Sequence, residues 1–186
     1  MDKIITAIRS YDLEADREFL AEHDHFHLRG QDNIRRYLPV KRLLIRIHSA
    51  DSAFDIAARL CAAWAVGCGV MVSYQTDDRS PWLPMLRDLT AHWGARLQFA
   101  QQSDQALARM VRKGEIGRIR CAAPDRVSGT LLSAAAGAPV YIAREPVLMH
   151  GRVELVWYVR EQSISDSYHR YGNLGARSAD QQTPIM

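Results

Sequence analysis

Three cysteines, Cys61, Cys68 and Cys121, are the residues of this 186-residue sequence best suited to covalent chemistry, and seven histidines could serve as bases or metal ligands. A nucleophilic thiol must ionise, which requires a neighbouring base, a cation or a helix N-terminus. The setting of each cysteine is instead apolar or glycine-flanked: Cys61 lies between Leu60 and Ala62, Cys68 between Gly67 and Gly69, and Cys121 beside Ala122. They form no Cys-x-x-Cys pair, so neither a zinc site nor a disulfide framework is expected, and the compartment reads as reducing and cytoplasmic. Cys121 falls at the carboxyl end of an expected strand, where open α/β sheets take ligands, but a buried structural thiol is the plainer reading. His23, Asp24, His25 and His27 could turn imidazoles to one side of an extended segment, as metal ligands do; the same spacing suits a solvated linker, and no metal is expected. Tyr168, His169, Arg170 and Tyr171 form an aromatic and basic group better suited to docking than to stacking a base.

Composition narrows the classes further. The formal charge is +3, and the 24 basic residues, only three of them Lys, are scattered rather than gathered into a run. No nucleic-acid footprint is therefore expected. No charged segment followed by an apolar stretch opens the chain, and no apolar run approaches the ~18–20 residues that span a bilayer, so neither secretion nor a membrane span is expected.

The elements that must position these residues fall into four stretches. Residues 1–40 read as an N-terminal helical arm, interrupted near Ser10–Asp12, and a polar connector ending in an extended segment at Ile34–Val40. Residues 41–145 alternate short apolar runs with capped helices. Strands are expected at Leu43–Ile47, Val70–Tyr74, Arg96–Phe99, Gly117–Cys121 and Pro139–Ile142. Helices start at Ser52, at Ser80-Pro81, at Ser103 or Asp104 and at Pro124-Asp125, and stop at Gly67, Gly94, Gly114 and Gly137. The fold class is α/β, a Rossmann-like parallel sheet of about five strands with flanking helices, plus a C-terminal β-hairpin flap and tail. Trp64 and Trp93 are expected in the core. The flap and tail occupy 146–175: two extended segments turn at His150-Gly151, with Val153, Leu155, Trp157 and Val159 on one face and Val156 and Tyr158 on the other. A ribbon with apolar groups on both faces wants a partner, so Arg152, Val153, Leu155, Val156, Trp157, Tyr158, Val159, Tyr168, His169, Arg170 and Tyr171 are the expected interface, and self-association through the flap is expected. Residues 176–186 are expected to be disordered.

Three runs, Gly30–Val40, Gly151–Ser163 and Tyr168–Gly175, resemble the C-terminal region of long proline utilization A proteins, and the likeness spans residues 15–176. That family consists of bifunctional proline dehydrogenase and L-glutamate γ-semialdehyde dehydrogenase enzymes. The resemblance implies a non-catalytic aldehyde-dehydrogenase-superfamily-type domain that packs on the aldehyde dehydrogenase module of its parent chain. It implies NAD and FAD for the parent and no cofactor for this domain. Consistent with that, no cysteine stands in a Gly-Gln-x-Cys setting and no Glu-Leu-Gly-Gly base motif occurs. The superfamily's Lys after the second strand is replaced by Ser73-Tyr74-Gln75-Thr76, and its Gly-Ser-Thr turn by Ala122-Ala123-Pro124-Asp125. No Gly-x-Gly-x-x-Gly follows the first strand. The alternative is a stand-alone nucleotide- or small-molecule-binding α/β module with residual NAD binding.

Overall fold

The computed structural model describes residues 2–75, 80–169 and 177. Thr76, Arg170, Tyr171, the rest of the Tyr171–Gly175 run and the 178–186 end lie outside the described residues.

Short segments centred on apolar residues and separated by helices form a five-stranded parallel sheet. Its strands are β2 (Leu43–Arg46), β3 (Val70–Tyr74), β4 (Leu97–Gln101), β5 (Arg118–Arg120) and β6 (Tyr141–Ala143), in the order β4-β3-β2-β5-β6. Alternation divides each strand between two cores. Leu43, Ile45, Val70 and Val72 face one; Leu44, Ile119 and Ile142 face the other. Helices α2 (Ala53–Ala65) and α3 (Trp82–Leu89) cover the first face, and α4 (Asp104–Arg112) and α5 (Gly129–Ala136) cover the second. Serine caps start three of these helices: the side-chain oxygens of Ser52, Ser103 and Ser128 accept from the amides of Asp55, Ala106 and Leu131. At the far end of α2 the chain turns through Gly67 at φ +81°, a left-handed conformation that favours glycine.

Several local expectations give way. The N-terminal segment is one helix, α1 (Asp2–Glu14), extended by a π-turn over Ala15–Phe19, with no break at Ser10–Asp12. Tyr11 is fully buried and packs with Ala7, Ala15 and Phe19 in the first core, so a break there would open that core. The helix expected from Pro124 begins later, because Pro124–Arg126 forms a 3-10 turn and Ser128 caps α5. Trp64 lies at the surface rather than inside; it stacks on half-buried Trp93 at 4.4 Å, with the Arg96 guanidinium over its ring.

The fold class stands, but the strands of the antiparallel element differ from those expected. No hairpin turns at His150-Gly151. Instead Gly151–Glu154 forms α6 and Leu155–Tyr158 a 3-10 turn, after which β7 (Val159–Ser167) pairs antiparallel with β1 (Gln31–Pro39). Glycine is required at 151 by close approach, since a Cβ there would stand 2.4 Å from the Ser10 carbonyl oxygen of α1. The ribbon's two strands leave the core together. The Val40 amide and the Cys68 thiol donate to the Tyr158 carbonyl, and Arg118 Nη1 donates to the carbonyls of Trp157 and Val159 at 2.8 and 2.9 Å.

Candidate functional site

Strand order places the functional crevice of this architecture. The chain runs outward from β2 through β3 to β4, then returns to build β5 and β6 on the other side, so the order reverses between β2 and β5. Open α/β sheets take ligands beyond the carboxyl ends of the strands at that point, usually with an anion at the head of the first helix.

Here the chain's own side chains occupy that position. Arg59, wholly buried in α2, donates to the carbonyl of Arg46 on β2 at 2.8 Å and to that of Arg120 on β5 at 3.3 Å, stitching the two strands at the reversal. The same guanidinium pairs with buried Asp51, whose carboxylate also accepts from the His48 amide at 3.1 Å and from Arg126 at 2.7 Å. Arg126 reaches on to Asp55 at 3.2 Å, and Asp55 closes the capping box by accepting from the Ser52 amide at 2.9 Å. The head of α2 therefore already carries two carboxylates, and a phosphate brought there would meet like charge. Burial raises the pKa of Asp55, but its bonds from Ser52 and Arg126 and the Arg126 charge outweigh that and hold it below the ordinary value. Across the crevice Arg46 donates to Ser73 Oγ at 2.7 Å and to the Gln102 carbonyl at 2.9 Å, and pairs with Asp104 at 2.7 Å. What remains open is a cavity of about 270 Å³ lined by Arg46, His48, Gln75, Asp125 and Arg126, among others.

The thiols are placed for packing. Burial pushes Cys61, Cys68 and Cys121 each up to about 11, so the reactive thiolate is disfavoured at neutral pH. Cys61 sits within α2 on the core side, Cys68 at the ribbon's root and Cys121 just beyond β5. Among the described residues no group of three His, Cys, Asp or Glu side chains could hold a metal ion, and no helix is long and apolar enough to cross a membrane.

Among the described residues, those expected to form an interface are dispersed. Leu155, Tyr158 and Val159 are buried in the chain's own first core. Helical turns replaced the strand because Glu154 is drawn inward: its carboxylate binds Arg120 at 2.8 and 3.0 Å with both side chains wholly buried, and accepts from the Tyr158 hydroxyl at 2.8 Å and the Leu148 amide at 3.0 Å. Trp157 is half-buried and stacks against Tyr141, whereas Arg152, Val153 and Val156 are exposed. Tyr168 and His169 lie at the far end of the ribbon, where both amides donate to the Gly30 carbonyl.

On one face of the ribbon the π-turn supplies a hub, Glu18. It pairs with Arg35 at 2.7 Å, accepts from the Tyr37 hydroxyl at 3.2 Å and lies 3.7 Å from Arg152. His23 and His25 stack beside it, and the His23 backbone pairs with Arg35 along the outer edge of β1. Burial raises the Glu18 pKa, but the Arg35 bond and charge, with His23 and Tyr37, outweigh it and set the value below the ordinary one. These anchors, like the buried arginines, carry no sequence motif. A signal existed for Arg59, which falls on the apolar stripe of Ile56, Leu60 and Ala63, and for Arg118 and Arg120, which share one face of a short strand.

No family model matches the sequence, and no curated protein matches it. Solved structures do share its fold. Proline utilization A from Corynebacterium freiburgense is 20% identical with a TM-score of 0.63, over 92% of this chain and 14% of that one. A variant of proline utilization A from Bradyrhizobium japonicum is 16% identical with a TM-score of 0.56, over 75% of this chain and 15% of that one. Succinate-semialdehyde dehydrogenase from Burkholderia pseudomallei is 15% identical with a TM-score of 0.58, over 76% of this chain and 30% of that one. The chain thus spans less than a third of each, and what it shares with them is the fold common to aldehyde dehydrogenases and proline utilization A.

Proposed function

We propose that this chain is a non-catalytic assembly domain of a proline utilization A-type enzyme, which converts proline to glutamate through an NAD-dependent L-glutamate γ-semialdehyde dehydrogenase fused to an FAD-containing proline dehydrogenase. One observation carries the reading: at the reversal point of the sheet, where this architecture would hold a nucleotide, the Arg59–Asp51–Arg126–Asp55 chain of ion pairs sets two carboxylates at the head of α2. The residues present do not fit a dinucleotide, and the raised thiols provide no nucleophile to use one. The work left to the domain is packing. Its β1–β7 ribbon projects from the core with β7 as an outer edge, the means by which one sheet extends another, and the partner is the aldehyde dehydrogenase module of the parent chain. A second copy uses the same edge when the domain stands alone.

Two measurements test this. Titration calorimetry with NAD at millimolar concentration is expected to give no saturable heat, and a micromolar dissociation constant would falsify the reading. Mixed with the aldehyde dehydrogenase module, the domain is expected to co-sediment, and replacing Ser163 by Pro, at a position whose amide faces away from β1 along the outer edge of β7, is expected to abolish that association. Co-sedimentation indifferent to the change would remove the ribbon from the interface.

The open cavity beside Arg46 and Asp125 favours a second reading, a small-molecule-binding module. Both arginines of its lining are already paired, Arg46 with Asp104 and Arg126 with Asp51. An anionic ligand there would have to compete with Asp104 and Asp51 for these arginines, so the assembly reading is preferred.

A further inference from the structure

The far end of the ribbon contains an arrangement that strand pairing alone disfavours. Register places Asp32 of β1 directly opposite Asp166 of β7, two carboxylates on one face of a two-stranded sheet. Like charges directly opposite each other destabilise a pair of strands. The residues that compensate come from beyond β7. Arg177 binds both oxygens of Asp32, at 2.6 and 3.2 Å, and its guanidinium lies 4.0 Å from the centre of the Tyr168 ring. Tyr168 is tied to the turn entering β1: its amide donates to the Gly30 carbonyl at 3.1 Å, and the Gly30 amide donates to its hydroxyl at 3.2 Å. Gly30 itself has φ +87°.

We infer that Arg177 and Tyr168 form a charge clasp on the ribbon's end, by which Arg177 neutralises Asp32 and so allows Asp32 and Asp166 to remain opposed. Closure of the last ribbon pairs and engagement of Arg177 are then one event. When Arg177 is withdrawn, whether by salt or by a competing carboxylate or phosphate, Gln31↔Ser167 and Asp32↔Asp166 open, while pairs nearer the root, such as Leu38↔Arg160, persist. The inference concerns only this end of the ribbon and stands whether or not the ribbon docks on a dehydrogenase.

The test is hydrogen exchange on the full chain, read at the amides of Asp166, Tyr168 and His169 and, as an internal control, at Leu44 and Val72 in the sheet. Arg177→Gln is expected to speed exchange at the ribbon end about fivefold and to leave the sheet amides unchanged. In the Asp32→Asn background the repulsion is already gone, so adding Arg177→Gln is expected to change exchange there by less than about twofold. Raising the salt concentration is expected to mimic Arg177→Gln in the parent sequence and to have little effect in Asp32→Asn. The clasp is overturned if Arg177→Gln leaves the ribbon end unchanged. An equal effect with and without Asp32, or acceleration that extends to Leu44 and Val72, overturns it as well.

Discussion

Arginine is used in opposite ways in the sheet and on the ribbon. Arg46, Arg59 and Arg120 are almost wholly enclosed, and each is bound by a carboxylate together with backbone carbonyls at strand ends. Arg36, Arg152 and Arg177 are open to solvent to different degrees, and each pairs with a carboxylate at or near the surface. The enclosed group is fixed, because taking one partner from a buried pair strands the other charge in a poor dielectric. The exposed group is exchangeable, because a solvated pair contributes little and yields to salt or to a competing ion. The buried arginines of the sheet are therefore engaged in holding the fold, whereas the pairs of Arg36 and Arg152 are open to exchange.

That contrast breaks most readily at Glu154. Its replacement by Ala leaves Arg120 buried without a counter-charge, and an expected loss of about 3–5 kcal/mol should appear as a lower urea midpoint. A loss below about 1 kcal/mol would mean that the sheet arginines behave like the surface ones.

The next effect concerns the seam between α1 and α6. Gly151→Ala forces a methyl against the Ser10 carbonyl, and an expected cost of about 1–3 kcal/mol should lower the melting temperature. An unchanged melting temperature would show that the two helices can separate freely, which is incompatible with the tight approach described above.

Glu18 stands between the two regions, mostly covered but on the ribbon side. Its folded pKa lies below the ordinary 4.5, so its contribution is complete above the unfolded value and fades as pH falls through the folded one. Acid titration of stability should therefore be shallower in Glu18→Gln than in the parent, with the two curves converging at the acid end. Parallel curves would exclude Glu18 as a source of the acid dependence.

The smallest expected effect sharpens the contrast from the other side. Val153→Ser on α6 and Val156→Ser in the turn after it, both at exposed positions, should change stability by no more than about 0.5 kcal/mol. Unfolding curves would check this, and a loss of several kcal/mol would show that the segment is held by those side chains rather than by Glu154.

The sheet was legible because its signals are local. Val70–Val72 is an unbroken apolar run, and Ser52 and Gly67 bracket α2 by side-chain capping and left-handed backbone, neither of which needs a distant partner. The 151–158 stretch was not legible for the opposite reason. Its valines and aromatics favour a strand, but the burial of Glu154, Leu155 and Tyr158 follows a helical spacing imposed by Arg120, a residue 34 positions away from Glu154. The β1–β7 pairing has no turn residue between its strands to announce it. The plugged crevice was legible only in part: the missing glycine motif pointed to it, whereas the residues that fill it, Arg59 and Arg126, resembled ordinary helix and loop arginines.

The separation of the ribbon's strands also sets an order of events during synthesis. Arg36 and Gln162 face each other across the ribbon yet lie 126 residues apart in the chain. As the polypeptide leaves the ribosome, β1 emerges first and waits while every strand of the parallel sheet is made. A closure of that length comes late in folding, after the shorter β-α-β crossovers have formed. Until then β1 lacks its β7 partner while carrying Ile34, Tyr37 and Leu38, open to chaperones or to a neighbouring nascent chain. Slower translation of the last residues would lengthen that exposure without altering any contact in the finished fold.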